Sequence, residues 1–251
     1  MTGLFVSFGI FCVLLFLYML SQAFQNVLSE KTIKFNDFPK EVTQLKIFFI
    51  TDIHRRKVST EIVNKVINRV DLVIIGGDLT EKGVPFERVE KNIQKLIRIA
   101  PIYFVWGNND HEVDHQKFVT LLEKYDVRIL ENDSVKLTKG ITLAGIDDVS
   151  LERDSLEDAL SSEAEDQFTI LLSHNPSIVQ QMNNTHNVPL VLSGHTHGGQ
   201  IRILGWGLYK KGGIEEFPYT TLVVSNGYGT TALPLRLGAR AETHLLTLTR
   251  K

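Results

Sequence analysis

An α/β or α+β layered fold behind one long apolar helix is what this sequence predicts. Three observations carry it. Short apolar runs alternate with amphipathic stretches through the first half of the chain, and the second half is strand-rich. Five of the apolar runs end in a polar turn of Asp, Asn, His or Gly. Residues 1–29 contain no charged side chain.

Gly3 to Leu20 is almost wholly apolar. A helix needs about 20 such residues to cross the hydrocarbon of a bilayer. The alternative is a cleaved signal peptide, for which Ser21-Gln22-Ala23 offers a small-x-small site. Against it, no Lys or Arg precedes the run, and the run is long. A core helix is rarely apolar all round over such a length. Residues 1–29 are therefore read as a single-pass anchor in the cell membrane. Lys31, Lys34 and Lys40 follow it, interleaved with Glu30, Asp37 and Glu41. The positive-inside rule leans toward a cytoplasmic soluble part.

Residues 30–44 read as a polar linker and an edge strand, and 45–251 as the folded domain. Leu45 to Thr51 is a strand ending in Asp52-Ile53-His54. Thr60 to Val70 has helical spacing at Ile62, Val63, Val66, Ile67 and Val70. Leu72 to Ile75 is a buried strand running into Gly76-Gly77-Asp78. Val84 to Ala100 is a charged amphipathic helix. Pro101 to Trp106 is a strand ending in Gly107-Asn108-Asn109-Asp110-His111. A helix over Asp114 to Tyr125 follows, then short strands at Val127–Leu130, Ser134–Leu137 and Ile141–Ile146. Asp154 to Glu165 is a polar helix. Phe168 to Leu172 is a strand ending in Ser173-His174, and Leu190 to Leu192 leads into Ser193-Gly194-His195-Thr196-His197-Gly198-Gly199-Gln200. Trp206 to Tyr219 reads as a surface loop, Thr221–Val224 and His244–Thr249 as closing strands.

The composition, 43% hydrophobic and 22% charged, excludes disorder. A net charge of −2 gives no reason to expect a nucleic-acid partner. The one cysteine, Cys12, lies in the apolar stretch. No internal disulfide forms, and a metal in the folded domain must take nitrogen and oxygen ligands.

The polar turns supply such ligands. Residues two apart on an extended segment face the same side, so Asp52 and His54 can reach one ion. Singly, an Asp after a strand is commonly a turn or cap residue, and an isolated His-x-His is as readily solvated as ligating. Ligand sites of open α/β sheets lie beyond the carboxyl ends of strands, where the five turns can converge. Together they offer Asp52, His54, Asp78, Asn108, His174, His195 and His197. Seven donors exceed the needs of one tetrahedral zinc. They suit two divalent ions about 3.5–4 Å apart that share a carboxylate, clamp a phosphate and convert a bridging water to hydroxide for attack on a phosphoester. Manganese, iron, zinc, cobalt and nickel all suit these donors.

The order Asp-x-His, Gly-Asp, Gly-Asn-Asn-Asp, His and Gly-His-x-His, running from about Lys46 onward, resembles the calcineurin-like metallophosphoesterases. Gly194 to Gln200, Asn226-Gly227-Tyr228-Gly229 and Arg240-Ala241-Glu242, with the anchor, are similar to the bacterial YkuE/YaeI branch and, more loosely, to membrane-anchored YpbG-type proteins. The resemblance implies a four-layer αββα sandwich: two mixed β-sheets flanked by helices, with a dinuclear centre at one edge. It implies that Asp52, His54 and His197 hold one ion, that Asn108, His174 and His195 hold the other, and that Asp78 bridges.

One position departs from that pattern. Asn109 stands where the family has the histidine that protonates the leaving group, and an amide cannot deliver a proton. Either the substrate needs little such help, as in pyrophosphates or aryl esters, or His111 acts instead; the alternative for His111 is a solvated loop residue. Arg236 and Arg240 are candidates for binding substrate phosphate, or for pairing with Glu242 or Glu215. Arg55, Arg56 and Lys57 add positive charge beside Asp52-Ile53-His54, or form a solvated loop. Trp206, Tyr209 and Phe217 could line a ligand wall or pack a satellite core. The expected function is hydrolysis of a phosphodiester or pyrophosphate, in a small phosphorylated or lipid-linked substrate, at the membrane. The competing class is a membrane-tethered, non-catalytic phosphoryl-binding protein that keeps the metal site.

Overall fold

The computed structural model describes residues 1–138, 140–161 and 167–251. A 22-residue helix, α1 (Thr2–Ala23), precedes the sheets. One six-stranded sheet contains β1 (Val27–Phe35), β2 (Leu45–Ile50), β3 (Leu72–Gly76), β4 (Ile102–Val105), β5 (Arg128–Ile129) and β12 (Glu242–Arg250), in the order β1-β12-β2-β3-β4-β5. The other contains β6 (Asp133–Thr138), β7 (Ile141–Gly145), β8 (Phe168–Leu172), β9 (Leu190–Ser193), β10 (Gly213–Phe217) and β11 (Thr220–Val224), in the order β10-β11-β9-β8-β7-β6. Both sheets are mixed. β2, β3, β4 and β5 run parallel, as do β7, β8, β9 and β11, while β12 is antiparallel to β2 and the β6 and β10 edges are antiparallel to their neighbours.

Strand alternation builds four layers. In β2, Ile47 and Phe49 face the other sheet, where they join Ile74, Leu143, Ile170, Leu172 and Leu192 in a dry inter-sheet core. Phe48 and Ile50 face outward onto the helices α2 (Thr60–Val66), α3 (Phe86–Leu96) and α4 (His115–Lys124), through Ile62, Val66, Ile93, Leu96 and Phe118. The outer face of the second sheet, with Ala144, Leu171 and Val191, is covered by Leu156 and Ala159 of α5 (Leu156–Leu160) and by Ile178, Val179 and Met182. This is the expected αββα sandwich.

Several element boundaries differ from the sequence reading. The edge strand β1 begins at Val27, inside the stretch assigned to the anchor, because its register on β12 starts at the pair Val27 and Glu242. α2 stops at Val66, ahead of Asn68 at a left-handed φ of 61°. α3 starts only after Pro85, whose ring fixes an extended cap. α5 is shorter than the helix expected over Asp154 to Glu165, whose residues 162–166 lie outside the described residues. Within the expected 206–219 loop, Gly213–Phe217 forms β10, hairpinned onto β11. Its Glu215 and Glu216 make it a polar edge strand without a clear apolar alternation.

Only Ala23 of α1 is buried. The end of the helix is nonetheless tied to the domain. The backbone N–H of Arg236 donates to Met19 O at 3.1 Å and that of Ala241 to Gln22 O at 3.2 Å. The Arg56 guanidinium donates to Ala23 O, Phe24 O and Gln25 O. These bonds satisfy carbonyls that a helix end leaves without partners.

Ile74 lies in the middle of the inter-sheet core and is fully buried. Ile74→Ala is expected to cost about 2–5 kcal/mol, through lost burial and a residual cavity. Chemical denaturation of the full chain in a neutral detergent measures this, and a loss below about 0.5 kcal/mol would contradict a tightly packed inter-sheet layer.

Candidate metal centre

The parallel strands β2, β3, β4, β8 and β9 deliver their carboxyl ends to one edge of the sandwich. Asp52 and His54 follow β2, Asp78 follows β3 and Asn108 follows β4. His174 follows β8, and His195 and His197 follow β9. Backbone bonds lock these turns together. Asp52 N–H donates to Gly77 O at 3.0 Å, Ile53 N–H to Asp78 O at 2.8 Å and Gly194 N–H to His174 O at 2.9 Å. Bonds also cross between the sheets, among them His195 N–H to Asp52 Oδ1 at 3.1 Å and Tyr228 N–H to Thr51 O at 2.9 Å.

Five of the seven donors sit at left-handed φ: Asp52 at 54°, His54 at 50°, Asp78 at 50°, His195 at 70° and His197 at 48°. Such conformations cost non-glycine residues about 1–3 kcal/mol each and persist only where the surroundings over-determine them. Close approach also requires glycine. A Cβ on Gly107 would collide with the Asp78 carboxylate, and one on Gly77, itself at φ +86°, would collide with the His174 ring.

The donors converge in two overlapping groups, Asp52–His54–His197 and Asp52–Asp78–His174, each with its ligand atoms within 4.8 Å of one another. His197 Nε2 lies 3.3 Å from Asp52 Oδ1 and 3.1 Å from His54 Nε2. His174 Nε2 lies 3.3 Å from Asp78 Oδ2, and His54 Nε2 lies 3.6 Å from the same oxygen. Asn108 Oδ1 meets His195 Nδ1 at 3.0 Å, and the His174 and His195 rings pack edge to face. Asp52, Asp78, His54, His174 and His197 are all buried. Of these, Asp78 and His197 reach the wall of a cleft of about 440 Å³, whose lining also includes Asn108, Asn109, His195 and Leu208.

The electrostatics fit divalent ions. Burial pulls the His54 imidazole down, but Glu81 and the carboxylates of Asp78 and Asp52 outweigh it and hold the group above its ordinary value. Burial likewise opposes His174, yet Asp78 and Asp52 raise it to about 10. His197 is driven well below the ordinary value by burial and by the positive charge of His54 and Arg236. In the metal-free chain, the proton held by His174 offsets the buried carboxylates. His174 Nε2 is a buried nitrogen with no hydrogen-bond partner, facing Asp78. An unsatisfied nitrogen, two carboxylates and three further imidazoles within one buried cluster are the donor chemistry that a pair of divalent cations takes.

Three supporting contacts escape any reading of the motifs. Glu81 Oε2 lies 3.0 Å from His54 Nδ1. Gly76 O lies 2.9 Å from His174 Nδ1. Arg236 Nη2 donates to His197 Nδ1 at 3.1 Å, leaving Nε2 to face Asp52. Such outer contacts orient ligating imidazoles. Glu81, three residues after Asp78, was visible in the sequence but carried no signal of its own.

Other expected site residues lie elsewhere. Arg236 is fully buried and donates to the carbonyls of Asn226, Gly229 and Ala239 as well as to His197, so it reaches neither substrate nor a carboxylate partner. Arg240 lines a separate cavity beside the end of α1. His111 stacks on Trp106 and places Nε2 2.7 Å from Asp147 Oδ1, outside the cleft lining. Asn109 does line the cleft; its side-chain amide donates to Glu112 and its backbone N–H to Asp78 Oδ1 at 2.9 Å. Arg55 pairs with Glu81, and Arg56 stacks on Tyr228 and clamps α1 rather than facing the cleft. Lys57 lies on another surface depression with Arg88 and Lys91. Tyr209 joins the cleft wall, Trp206 is exposed, and Phe217 packs with Tyr219.

Fold and donor cluster together define a two-sheet αββα architecture with a candidate metal centre at one edge. The sequence pattern of the calcineurin-like phosphoesterases matches residues 45–199, and the chain belongs to that family. It is 46% identical over 209 residues to the uncharacterized protein YpbG of Bacillus subtilis, covering 81% of each chain. It is 30% identical to a bovine transmembrane protein with a metallophosphoesterase domain, over 84% of this chain and 54% of the bovine one; this chain thus spans about half of that relative. Among solved structures, TT1561 of Thermus thermophilus shares the fold with a TM-score of 0.54 at 15% identity, covering 74% of this chain and 90% of the other.

Because His174 holds its proton up to about pH 10 in the metal-free chain, an ion arriving at Nε2 must displace that proton. Metal affinity is therefore expected to rise with pH between about 6.5 and 8.5, by about tenfold per unit for each proton released. Calorimetric titration with Mn²⁺ or Zn²⁺ in buffers of different ionisation enthalpy reads both slope and proton release. A pH-independent affinity without proton release would contradict the assignment.

Proposed function

We propose that this chain is a membrane-tethered, metal-dependent hydrolase of phosphodiester or pyrophosphate bonds. The observation that carries the reading is the pair of buried donor groups sharing Asp52, which reach the wall of one cleft through Asp78 and His197. Asp52, His54 and His197 would hold one divalent ion, Asn108, His174 and His195 a second, with Asp78 between them. The ions supply charge against the phosphoryl oxygens and an activated water as nucleophile.

The chain's own residues do the rest. Glu81, Gly76 O and Arg236 hold three imidazoles in fixed orientation. Asn109 N–H fixes the Asp78 carboxylate, and the Asn109 side chain stands in the cleft where it can hydrogen-bond a phosphoryl oxygen. Neither Asn109 nor His111, engaged with Asp147, is placed to protonate a departing alkoxide. This favours substrates whose leaving group departs as a stable anion, namely pyrophosphates and aryl esters. The tether is supported by α1, a 22-residue helix whose apolar 18-residue stretch has no buried residue, and by relatives named as transmembrane proteins.

Full-length protein in neutral detergent is expected to hydrolyse bis-p-nitrophenyl phosphate or a nucleotide-sugar pyrophosphate only with an added divalent metal such as Mn²⁺. Asp78→Asn should reduce the rate to background. A folded, metal-loaded protein without turnover on either substrate would transfer the weight to the non-catalytic reading. Asn109→His is expected to raise the rate on alkyl esters more than on aryl esters, by up to the about 10²–10⁴-fold that a general acid contributes. Equal effects on the two ester classes would refute the leaving-group argument.

A further inference from the structure

A second cavity lies apart from the metal cleft, at the junction of α1, β1 and β12. Its volume is about 550 Å³. One wall is formed by Tyr18 and Gln22, from the last two turns of α1. Three cationic side chains line it from three separate parts of the chain: Lys31 on β1, Lys211 before β10, and Arg240 before β12. All three are exposed residues, and among the described residues none is within ion-pair distance of a carboxylate. The carboxylate on this wall, Glu242, is already engaged by Asn226 through its backbone N–H at 3.0 Å and its side-chain amide at 2.7 Å. Three cations against one carboxylate leave the cavity with an excess of positive charge.

A second observation points to a ligand. His244 also lines the cavity and is 5% exposed; its Nε2 is buried, makes no hydrogen bond, and lies 3.6 Å from Glu242 Oε1, the oxygen that Asn226 already occupies. A buried unsatisfied nitrogen is costly unless something completes it. A buried imidazole nitrogen beside three cations is a set of groups matched to phosphate oxygens.

The position narrows the source of that phosphate. α1 is about 33 Å long at 1.5 Å per residue, close to the about 30 Å thickness of a bilayer's hydrocarbon core. If α1 spans, its last turns, with Tyr18 and Gln22, lie at the level of the lipid headgroups, where tyrosine is enriched and basic side chains attract anionic lipid. We infer that this cavity binds the phosphoryl headgroup of an anionic membrane lipid, with Lys31, Lys211, Arg240 and His244 as its donors. The inference rests on the reading of α1 as a retained anchor. A bound headgroup would seat the end of α1 against the domain and fix the height of the metal cleft above the membrane.

The test uses the full chain in a neutral maltoside detergent, with thermal unfolding followed as lipid is titrated. Phosphatidylglycerol is expected to raise the melting midpoint, while phosphatidylcholine and sn-glycerol 3-phosphate at equal concentration do not. The exposed triple variant Lys31→Ala/Lys211→Ala/Arg240→Ala should bind phosphatidylglycerol about a hundredfold more weakly, taking a cation near the surface at its usual contribution. A control triple variant at exposed cations elsewhere, Lys91→Ala/Arg98→Ala/Lys251→Ala, should bind as the parent does. Equal response to the two lipids, or equal loss in the two triple variants, overturns the site. A shift reproduced by glycerol phosphate keeps the phosphate chemistry but overturns the lipid source. Intact mass on the same sample separates the two kinds of failure. Loss of residues 1–23 refutes the anchor, whereas an intact chain without lipid preference refutes only the site.

Discussion

Two carboxylates, Asp52 and Asp78, stand almost completely shielded from water where the two sheets meet, at 0% and 2% exposure. The rest of the centre follows from that constraint. A buried, isolated carboxylate costs many kcal/mol, so each must be surrounded by donors and positive charge. Asp78 receives Asn109 N–H on one oxygen and faces His174 and His54 on the other. Asp52 receives the Thr51 hydroxyl at 2.9 Å and the backbone N–H of His195 from the opposite sheet. Cations are what such a cluster lacks. The proton held by His174 fills part of that role in the metal-free chain, and divalent ions would fill it more completely.

The topology is the means of meeting this constraint. Parallel strands place their carboxyl ends together, so β2, β3 and β4 of one sheet meet β8 and β9 of the other at one edge. The turns leaving them must bend at once to keep ligands near the sheet ends. This is the setting of the five left-handed ligands and of glycines 77 and 107. The inter-sheet core around Phe49, Ile74 and Ile170 supplies rigidity that keeps such conformations populated.

How much of this was legible in the sequence follows from the range of each interaction. The layers were legible because alternation and helical spacing are local, and Ile47, Phe48, Phe49 and Ile50 already encode which face meets which neighbour. The seven donors were legible because they sit in the five polar turns that end apolar runs. What was not legible depends on contacts across long separations. Arg236 resembles a phosphate binder until the fold surrounds it with carbonyls and His197, 39 residues away. Glu81 acquires its role only when the β3 turn lies against the β2 turn. The strand β10 was missed because a polar edge strand owes its shape to its partner, and helix ends were misjudged where Asn68 and Pro85 override periodicity.

Arg56 and Arg236 connect two parts of the molecule that motifs treat as separate. Arg56 is two residues past His54 and gathers the last carbonyls around the end of α1 while stacking 3.7 Å above the Tyr228 ring. Arg236 gives its backbone N–H to Met19 and its guanidinium to His197. Burial pulls that guanidinium down to about 10, still charged at neutral pH, so its carbonyl partners must stay in place. The end of α1 and one donor of the Asp52–His54–His197 group, His197, therefore share Arg236 as a support. Displacing the helix end would strip Met19 O from the Arg236 backbone and three carbonyls from Arg56, in a region where buried polar groups have few alternatives. The geometry of His197 is thus coupled to the seating of the apolar helix through Arg236, whose positive charge also lowers that imidazole, while Arg56 fastens the same helix end to the segment just after His54.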